Sequence, residues 1–106
     1  MNEYRITLTQ RAKNDITDIG DYISHTLLAP NTSKKFIKGL RNSISQLKYF
    51  PYKFPLVRDP VLQKQFIRCM PHKNYYIFYK IIEDMNIVII LRVGYNQRDW
   101  KNILSQ

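Results

Sequence analysis

The fold of this chain is decided by the sequence NYYIFYKII at residues 74–82 and by IVIILRV at residues 87–93. Both stretches consist mainly of β-branched and aromatic residues, which favour strands. The first stretch is apolar on both faces, as expected of a central strand. Residues 83–86 between them are short enough for a tight connection. We therefore predict an antiparallel pair of long strands that runs into Gly94 and Tyr95.

Two shorter strands are predicted upstream of this pair. Gln65–Met70 forms the first of them, and Pro71 ends it, because proline lacks the N–H that a sheet ladder requires. Near the N-terminus, Tyr4, Ile6 and Leu8 alternate with Arg5 and Thr7, which is the period of a half-buried strand.

Two amphipathic helices are predicted between these shorter strands. Thr9 is expected to cap the first helix and Pro30 to end it. The second helix is expected to start at a cap formed by Asn31, Thr32 or Ser33. Apolar residues recur at helical spacing in both: Ala12, Ile16, Ile19, Ile23 and Leu27 in the first, and Phe36, Leu40, Ile44 and Leu47 in the second. The short link between the helices favours an antiparallel helical hairpin.

This element order predicts an α+β fold. An N-terminal strand is followed by the antiparallel helical hairpin and then by a three-strand antiparallel meander, and the strands form one mainly antiparallel sheet. We expect a single domain that spans residues 1–106. Before the meander, three prolines mark an irregular segment whose aromatic residues are Tyr49, Phe50, Tyr52 and Phe54. We interpret these aromatics as anchors that hold the segment against the core rather than as a ligand site.

The charge of the chain is strongly positive. It has 17 Lys and Arg residues against 8 Asp and Glu residues, a net charge of +9 and a pI near 9.8. Such a field favours polyanionic partners. A single cysteine, Cys69, excludes an internal disulfide framework and fits a reducing compartment. The N-terminus has no signal-peptide pattern and no apolar run is long enough to cross a bilayer, so a cytoplasmic protein without a membrane partner is expected.

Metal and cofactor chemistry are not indicated. His25 and His72 are far apart in the sequence and have no Cys or carboxylate companions at ligand spacing, so no metal site is predicted. We interpret His72 as a solvated turn residue, with a catalytic proton carrier as the alternative. Cys69 is interpreted as a small buried residue, with a reactive thiol beside Arg68 as the alternative. The chain has no nucleophile turn and no glycine-rich phosphate loop, so no cofactor is expected.

The basic residues are the best candidates for a site. Arg92 follows Val88 and Ile90 on one face of the last strand, where another apolar residue would be expected, and Arg68 lies on a neighbouring strand. These arginines, with further cations and phenols, are predicted to form a concave surface that binds phosphates and stacks on unpaired bases. The additional members are Lys64, Lys73, Arg98, Tyr75, Tyr76 and Tyr95. The alternative is that Arg92 pairs with a carboxylate such as Asp99 and the other cations are solvated surface charges.

Five segments of the sequence resemble a known family. These are Tyr4–Thr9, the helix segment from Ala12 to Ile23, Leu47 with Phe50-Pro51, Asn74–Tyr79 and Ile89–Asp99. Their order and spacing are similar to those of the RelE/ParE toxins of bacterial type II toxin–antitoxin systems, and the likeness spans nearly the whole chain. It implies the compact α+β toxin fold, a cognate acidic antitoxin, and growth arrest when the toxin is free.

The resemblance implies one of two activities. RelE-like members cut messenger RNA on the ribosome, and ParE-like members poison DNA gyrase. The first, a metal-independent endoribonuclease, is our first hypothesis. By position, the resemblance implies catalytic roles for Arg68 and for Arg98 or Arg92. Tyr95, Tyr76 or His72 could then transfer the protons. Its substrate-binding residues would be Lys64, His72, Lys73, Tyr75 and Tyr76. Many nuclease members carry arginine where this chain has Tyr76, which favours the gyrase alternative.

Overall fold

The computed structural model describes residues 3–95 and Leu104. Its regular elements are β1 (Arg5–Leu8), α1 (Gln10–Asp21), a π-helical turn (Tyr22–Thr26), α2 (Pro30–Ser45), a 3-10 turn (Gln46–Lys48), α3 (Pro60–Gln63), β2 (Arg68–His72), β3 (Tyr75–Ile82), a second 3-10 turn (Glu83–Met85) and β4 (Ile87–Gly94). Both long strands of the predicted hairpin are present. No helix among the described residues has the length and apolar character needed to cross a bilayer.

The sheet has the strand order β1-β4-β3-β2. The β2–β3 and β3–β4 pairs are antiparallel, whereas β1 lies parallel to β4. The crossover through α1 and α2 makes this parallel pairing possible, because parallel neighbours need a long connection. The predicted α+β fold with a mainly antiparallel sheet is therefore confirmed.

The two long helices start differently from one another. The side chain of Thr9 accepts a hydrogen bond of 3.1 Å from the backbone N of Ala12, so the predicted cap of α1 is confirmed. The predicted polar cap of α2 is wrong: α2 begins at Pro30, and Ala29 precedes it without a side-chain cap. Proline suits this first position because its fixed φ matches the helix and its missing N–H is not needed there. Ser33 instead donates a hydrogen bond of 2.7 Å to the carbonyl O of Gly20, which ties the two helices together.

The helices cover one face of the sheet. Their predicted apolar positions are buried or packed against the main core, together with Ile77, Tyr79, Val88, Ile90 and Val93 from the sheet. Leu27 is the exception: its side chain is 55% exposed because the helix ends at Thr26.

The opposite face of the sheet carries a second apolar cluster. Val57, Leu62, Ile67 and Phe78 are its buried members, and Cys69, Tyr76, Leu91 and Leu104 pack against it. The short helix α3 contributes Leu62 and was not predicted from the sequence. Asp59 caps α3 by accepting hydrogen bonds from the backbone N atoms of Val61 and Leu62, at 3.0 and 3.1 Å. Both faces of the central strand β3 are therefore covered, as its sequence predicted.

The start and the end of β2 differ from the prediction. Phe66 has a φ of 58°, a left-handed conformation that interrupts extended backbone, so the strand begins two residues later at Arg68. Pro71 lies within the strand rather than ending it. An edge strand tolerates proline because only one side of its ladder needs N–H donors.

The aromatic residues of the proline-rich segment are mostly exposed. Only Phe54 packs against the main core, whereas Tyr49, Phe50 and Tyr52 are 52%, 57% and 53% exposed. The interpretation of these three as core anchors is wrong. Pro51 is buried in their place, and its carbonyl O accepts a hydrogen bond of 2.6 Å from the buried hydroxyl of Tyr79.

Candidate functional site

Arg92 forms an ion pair with Asp15 of α1. Its Nε lies 2.7 Å from Oδ2 and its Nη2 lies 2.9 Å from Oδ1, so the contact is bidentate. Asp15 Oδ2 also accepts a hydrogen bond of 2.9 Å from the backbone N of Val93. β1 pairs with β4 only as far as Ile90, so this carboxylate bonds a backbone N–H of β4 that lies beyond the paired stretch of the described strands. The pKa of Arg92 is raised, chiefly by the hydrogen bonds to Asp15.

A β-bulge explains why Arg92 does not take a core position. The register between β3 and β4 shifts so that Tyr79 lies opposite Ile90 and Phe78 lies opposite Arg92, which leaves Leu91 as the extra residue. Beyond the bulge, Val93 rather than Arg92 continues the row of Val88 and Ile90 in the main core. The expectation that Arg92 shares the face of those two residues is therefore wrong.

Arg68 lies on β2, which is an edge strand of the sheet. It is the first residue of β2 and lies opposite Tyr79. Its Nη1 donates a hydrogen bond of 2.6 Å to the carbonyl O of Phe54. Its Cζ lies 4.9 Å from the ring centroid of Tyr52, which is a cation–π contact. Both interactions join Arg68 to the proline-rich segment.

The guanidinium groups of Arg68 and Arg92 therefore do not line one concave surface. The Arg92 guanidinium faces α1 through Asp15. The Arg68 guanidinium contacts residues 52–54 next to the edge strand β2. The predicted concave surface around both is not formed. The partner of Arg92 is Asp15, 77 residues away in the sequence, and the alternative that named Asp99 lies outside the described residues, as does Arg98.

A carboxylate lies beside the Arg68 contact. Glu83, at the β3–β4 turn, accepts hydrogen bonds of 2.9 and 3.0 Å from the Tyr4 hydroxyl and a short hydrogen bond from the Tyr52 hydroxyl. This bond to Glu83 raises the pKa of Tyr52 to about 12, because the carboxylate holds the phenolic proton. Sequence reasoning missed this cluster, since Tyr52 and Glu83 are 31 residues apart and share no motif.

The predicted substrate-binding residues are divided between several places. Directly opposite residues on β2 and β3 share a face, so His72 and Tyr75 lie on the helix-covered side. Tyr76 packs instead against the second apolar cluster. Lys64 is exposed just after α3. Lys73 is exposed in the β2–β3 turn with a φ of 55°.

Tyr75 and Tyr95 contribute to a groove of about 910 Å³ between the helices and the start of β3. Their ring centroids lie 5.2 Å apart, and Tyr75 lies 5.0 Å from Phe36. Tyr22, Lys35 and Lys73 also line the groove. Burial raises the pKa of Tyr75, so its phenol keeps its proton at neutral pH. The groove thus combines exposed aromatic surface with two cations, and the carboxylates of Asp15 and Asp18 line its helical side.

His72 lies beneath α2 rather than in solvent. Its Nδ1 shares a hydrogen bond of 2.9 Å with Ser43 Oγ, and its ring lies edge-on to Phe36 at 5.5 Å. Its Nε2 is buried and has no hydrogen-bond partner within residues 3–95 and Leu104. The interpretation of His72 as a solvated turn residue is wrong, because α2 packs over the end of β2.

The stability of the protein should depend on the protonation of His72. Burial, with a smaller effect of the Lys73 charge, lowers the pKa of His72 below 6.5. As the pH falls through 6.5, the unfolded chain therefore binds a proton that the folded chain does not, and the free energy of unfolding decreases until the folded pKa is reached. Urea unfolding between about pH 7.5 and pH 5 measures this slope. The His72→Gln variant should have a flatter profile, and equal slopes in both proteins would contradict this prediction.

The remaining questions are the reactivity of the Cys69 thiol and the presence of a metal-binding cluster among the described residues. Burial raises the pKa of the Cys69 thiol to about 12, which disfavours a thiolate at neutral pH, and the side chain is partly buried against the second apolar cluster. Within the described part of the chain, no three His, Cys, Asp or Glu side chains lie close enough to hold a metal ion.

A helical hairpin on one face of a mainly antiparallel sheet, in a small basic chain, is the architecture that the resemblance to RelE/ParE toxins implied. Residues 6–100 match the family described as the ParE toxin of the type II toxin–antitoxin system parDE. The chain belongs to this family, and it is the toxin of a type II toxin–antitoxin system. No curated relative matches the sequence.

Solved structures of toxins share this fold at low sequence identity. A chain of the chromosomal ParDE system from P. aeruginosa superposes with a TM-score of 0.74 and 14% identity, covering 92% of this chain and 100% of that one. A free-state mutant of the E. coli toxin RelE gives a TM-score of 0.66 and 13% identity, with coverages of 97% and 96%. A chain of the RelBE2 toxin–antitoxin complex from Mycobacterium tuberculosis gives 0.64 and 18%, with coverages of 91% and 94%.

Proposed function

We propose that this toxin arrests growth in the cytoplasm by binding DNA gyrase and not by cutting messenger RNA. The observation that carries the proposal is the packing of Tyr76. At this position the resemblance places an arginine in many nucleases, whereas here the side chain lies against the second apolar cluster with Cys69 and Leu91. An apolar, covered sheet face offers no charge stabilisation to a scissile phosphate. The match of residues 6–100 to the ParE family supports the same target.

The arrangement of the other predicted catalytic groups also favours a binding toxin. Asp15 accepts hydrogen bonds from Nε and Nη2 of Arg92, so this edge of the guanidinium is directed at α1. His72, for which a proton carrier was the alternative interpretation, lies under α2 with a lowered pKa. Arg92 and His72 therefore do not face one another across an open cleft as an acid–base pair.

A gyrase supercoiling assay tests the proposal. Purified toxin should inhibit supercoiling of relaxed plasmid or trap the cleaved gyrase–DNA complex, and prior mixing with its antitoxin should abolish the effect. In a parallel translation reaction, primer extension should find the message intact. Undiminished supercoiling with no trapped complex would refute gyrase as the target.

A ribonuclease is the second candidate because of the cluster around Glu83. A carboxylate, a phenol and a guanidinium from Glu83, Tyr52 and Arg68 lie together on an exposed surface. In this alternative, the ribose 2′-oxygen attacks the adjacent phosphorus, Glu83 accepts its proton, and Tyr52 protonates the departing 5′-oxygen. New 3′ ends in the translating message that disappear with Glu83→Gln would support this candidate and oppose the first.

We further propose that the antitoxin covers the groove beside Tyr75. Tyr22 and Tyr95 are 51% and 62% exposed there, which is a large aromatic surface for a soluble protein. Lys35 and Lys73 suit the acidic residues expected of the antitoxin. An amphipathic segment that orders on binding fits a groove of this shape and charge.

A further inference from the structure

The proline-rich segment presents a strip of exposed aromatic rings. Tyr49, Phe50 and Tyr52 are each more than half exposed, and Lys48 and Lys53 flank them in the sequence. The Tyr49 and Phe50 rings lie 6.4 Å apart, edge to face. Neither the gyrase proposal nor the antitoxin groove uses these residues. We call residues 48–53 the aromatic strip.

The backbone of the aromatic strip is held rigidly. At its start, Tyr4 N donates a hydrogen bond of 2.9 Å to Lys48 O. In the middle, the Tyr79 hydroxyl binds Pro51 O. Just beyond its end, Arg68 binds Phe54 O at 2.6 Å. A segment fixed at three points loses little conformational entropy on binding, so its exposed rings are arranged for contact in advance.

The side chain of Tyr52 is fixed as well. Its hydroxyl binds Glu83, and the Arg68 guanidinium lies over its ring. Glu83 also accepts hydrogen bonds from the Tyr4 hydroxyl, so its carboxylate interacts with two phenols. The cations Lys48, Lys53 and Arg68 and the Glu83 carboxylate are the charged groups that the described sequence and contacts place beside the strip.

We infer that the aromatic strip binds unpaired nucleic acid by stacking on its bases. Aromatic rings flanked by cations are the combination that single-strand binding proteins use, with stacking on bases and charge attraction to phosphates. The net charge of +9 brings such polyanions to the surface. A duplex is a poorer ligand, because its base faces are already stacked on one another. An acidic polypeptide offers charge but no flat ring for the exposed aromatics. This inference is independent of the gyrase proposal.

The experiment measures fluorescence anisotropy of a labelled oligothymidylate of about 12 nucleotides with the full chain. The wild-type protein should bind it more tightly than it binds a duplex of equal length. The Tyr49→Ala/Phe50→Ala variant should bind at least about tenfold more weakly, since base stacking supplies much of single-strand affinity. The Phe66→Ala variant is the control, because it removes an exposed ring elsewhere and should keep its affinity.

A second pair of substitutions separates the loss of the aromatic rings from a loss of folding. The Tyr49→Leu/Phe50→Leu variant keeps apolar side chains and removes only the rings, so it should retain the wild-type urea midpoint while losing affinity. Three results would overturn the inference: no binding of oligothymidylate by the wild type, equal binding by the leucine variant, or equal weakening in the control. The inference would also be overturned if polyglutamate displaced the labelled oligothymidylate as well as unlabelled oligonucleotide does. That result would show that charge attraction alone accounts for binding.

Discussion

Replacing Asp15 with alanine should lower the free energy of unfolding by about 3 kcal/mol. The carboxylate accepts hydrogen bonds from Nε and Nη2 of Arg92 and from the backbone N of Val93, and the Arg92 and Asp15 side chains are only 16% and 13% exposed. Its removal leaves a partly buried guanidinium and a backbone donor without this acceptor, which costs more than the loss of a surface pair. Urea unfolding at neutral pH measures the change.

Asp18 provides the matched control for this experiment. It lies on the same helix and is exposed, so Asp18→Ala should change the free energy of unfolding by no more than about 0.5 kcal/mol. In the Asp15→Ala background, Arg92→Leu should recover part of the loss, because it removes a partly buried charge that has lost the Asp15 carboxylate. If Asp15→Ala were as stable as Asp18→Ala, the ion pair would not be the structural element described above.

The same ion pair changes how toxicity data are to be interpreted. If Arg92 were catalytic, as the resemblance implies, loss of toxicity in Arg92→Ala with the fold retained would report on catalysis. The contact with Asp15 predicts instead that this variant is destabilised. Arg68→Ala is the better test of a ribonuclease, because Arg68 lies beside the exposed Tyr52–Glu83 cluster.

Replacing Phe78 with alanine should destabilise the protein by about 3–5 kcal/mol. Phe78 has no exposed surface and packs in the second apolar cluster with Val57, Leu62 and Ile67. Truncation leaves a cavity that rigid strands on either side cannot fill. Thermal or urea unfolding monitored by circular dichroism checks the value.

Phe66→Ala is the control, because this phenylalanine is 68% exposed and its loss should cost little. The comparison also tests the proposed function. If Phe78→Ala and Phe66→Ala were equally stable, the sheet face would be open, and one objection to a nucleic-acid site on it would be removed.

The elements of this fold were predictable because their signals are local. The helical spacing of Ala12 and Ile16, the cap at Thr9 and the β-branched runs of β3 and β4 lie within a few residues in the chain. The errors in the elements arose where burial or an edge position overrode a local rule. Pro71 remained in β2 because β2 is an edge strand, and α2 began at Pro30 without a polar cap.

The candidate site was less predictable because its contacts join distant residues. A bulge of one residue at Leu91 removed Arg92 from the core row, and no feature of the sequence marks that bulge. Asp15 lies next to the buried Ile16, which is the only local hint that its carboxylate faces the sheet.

The sequence by itself therefore determined the class of fold, the order of its elements, and a likeness to the RelE/ParE toxins, since periodicity and motif order are properties of neighbouring residues. Only the tertiary structure decided which charges are available to a partner. It paired Arg92 with Asp15 and placed Tyr52 against Glu83 and Arg68. Charge pairing depends on distances in space between residues that the chain separates by dozens of positions, and only packing sets those distances.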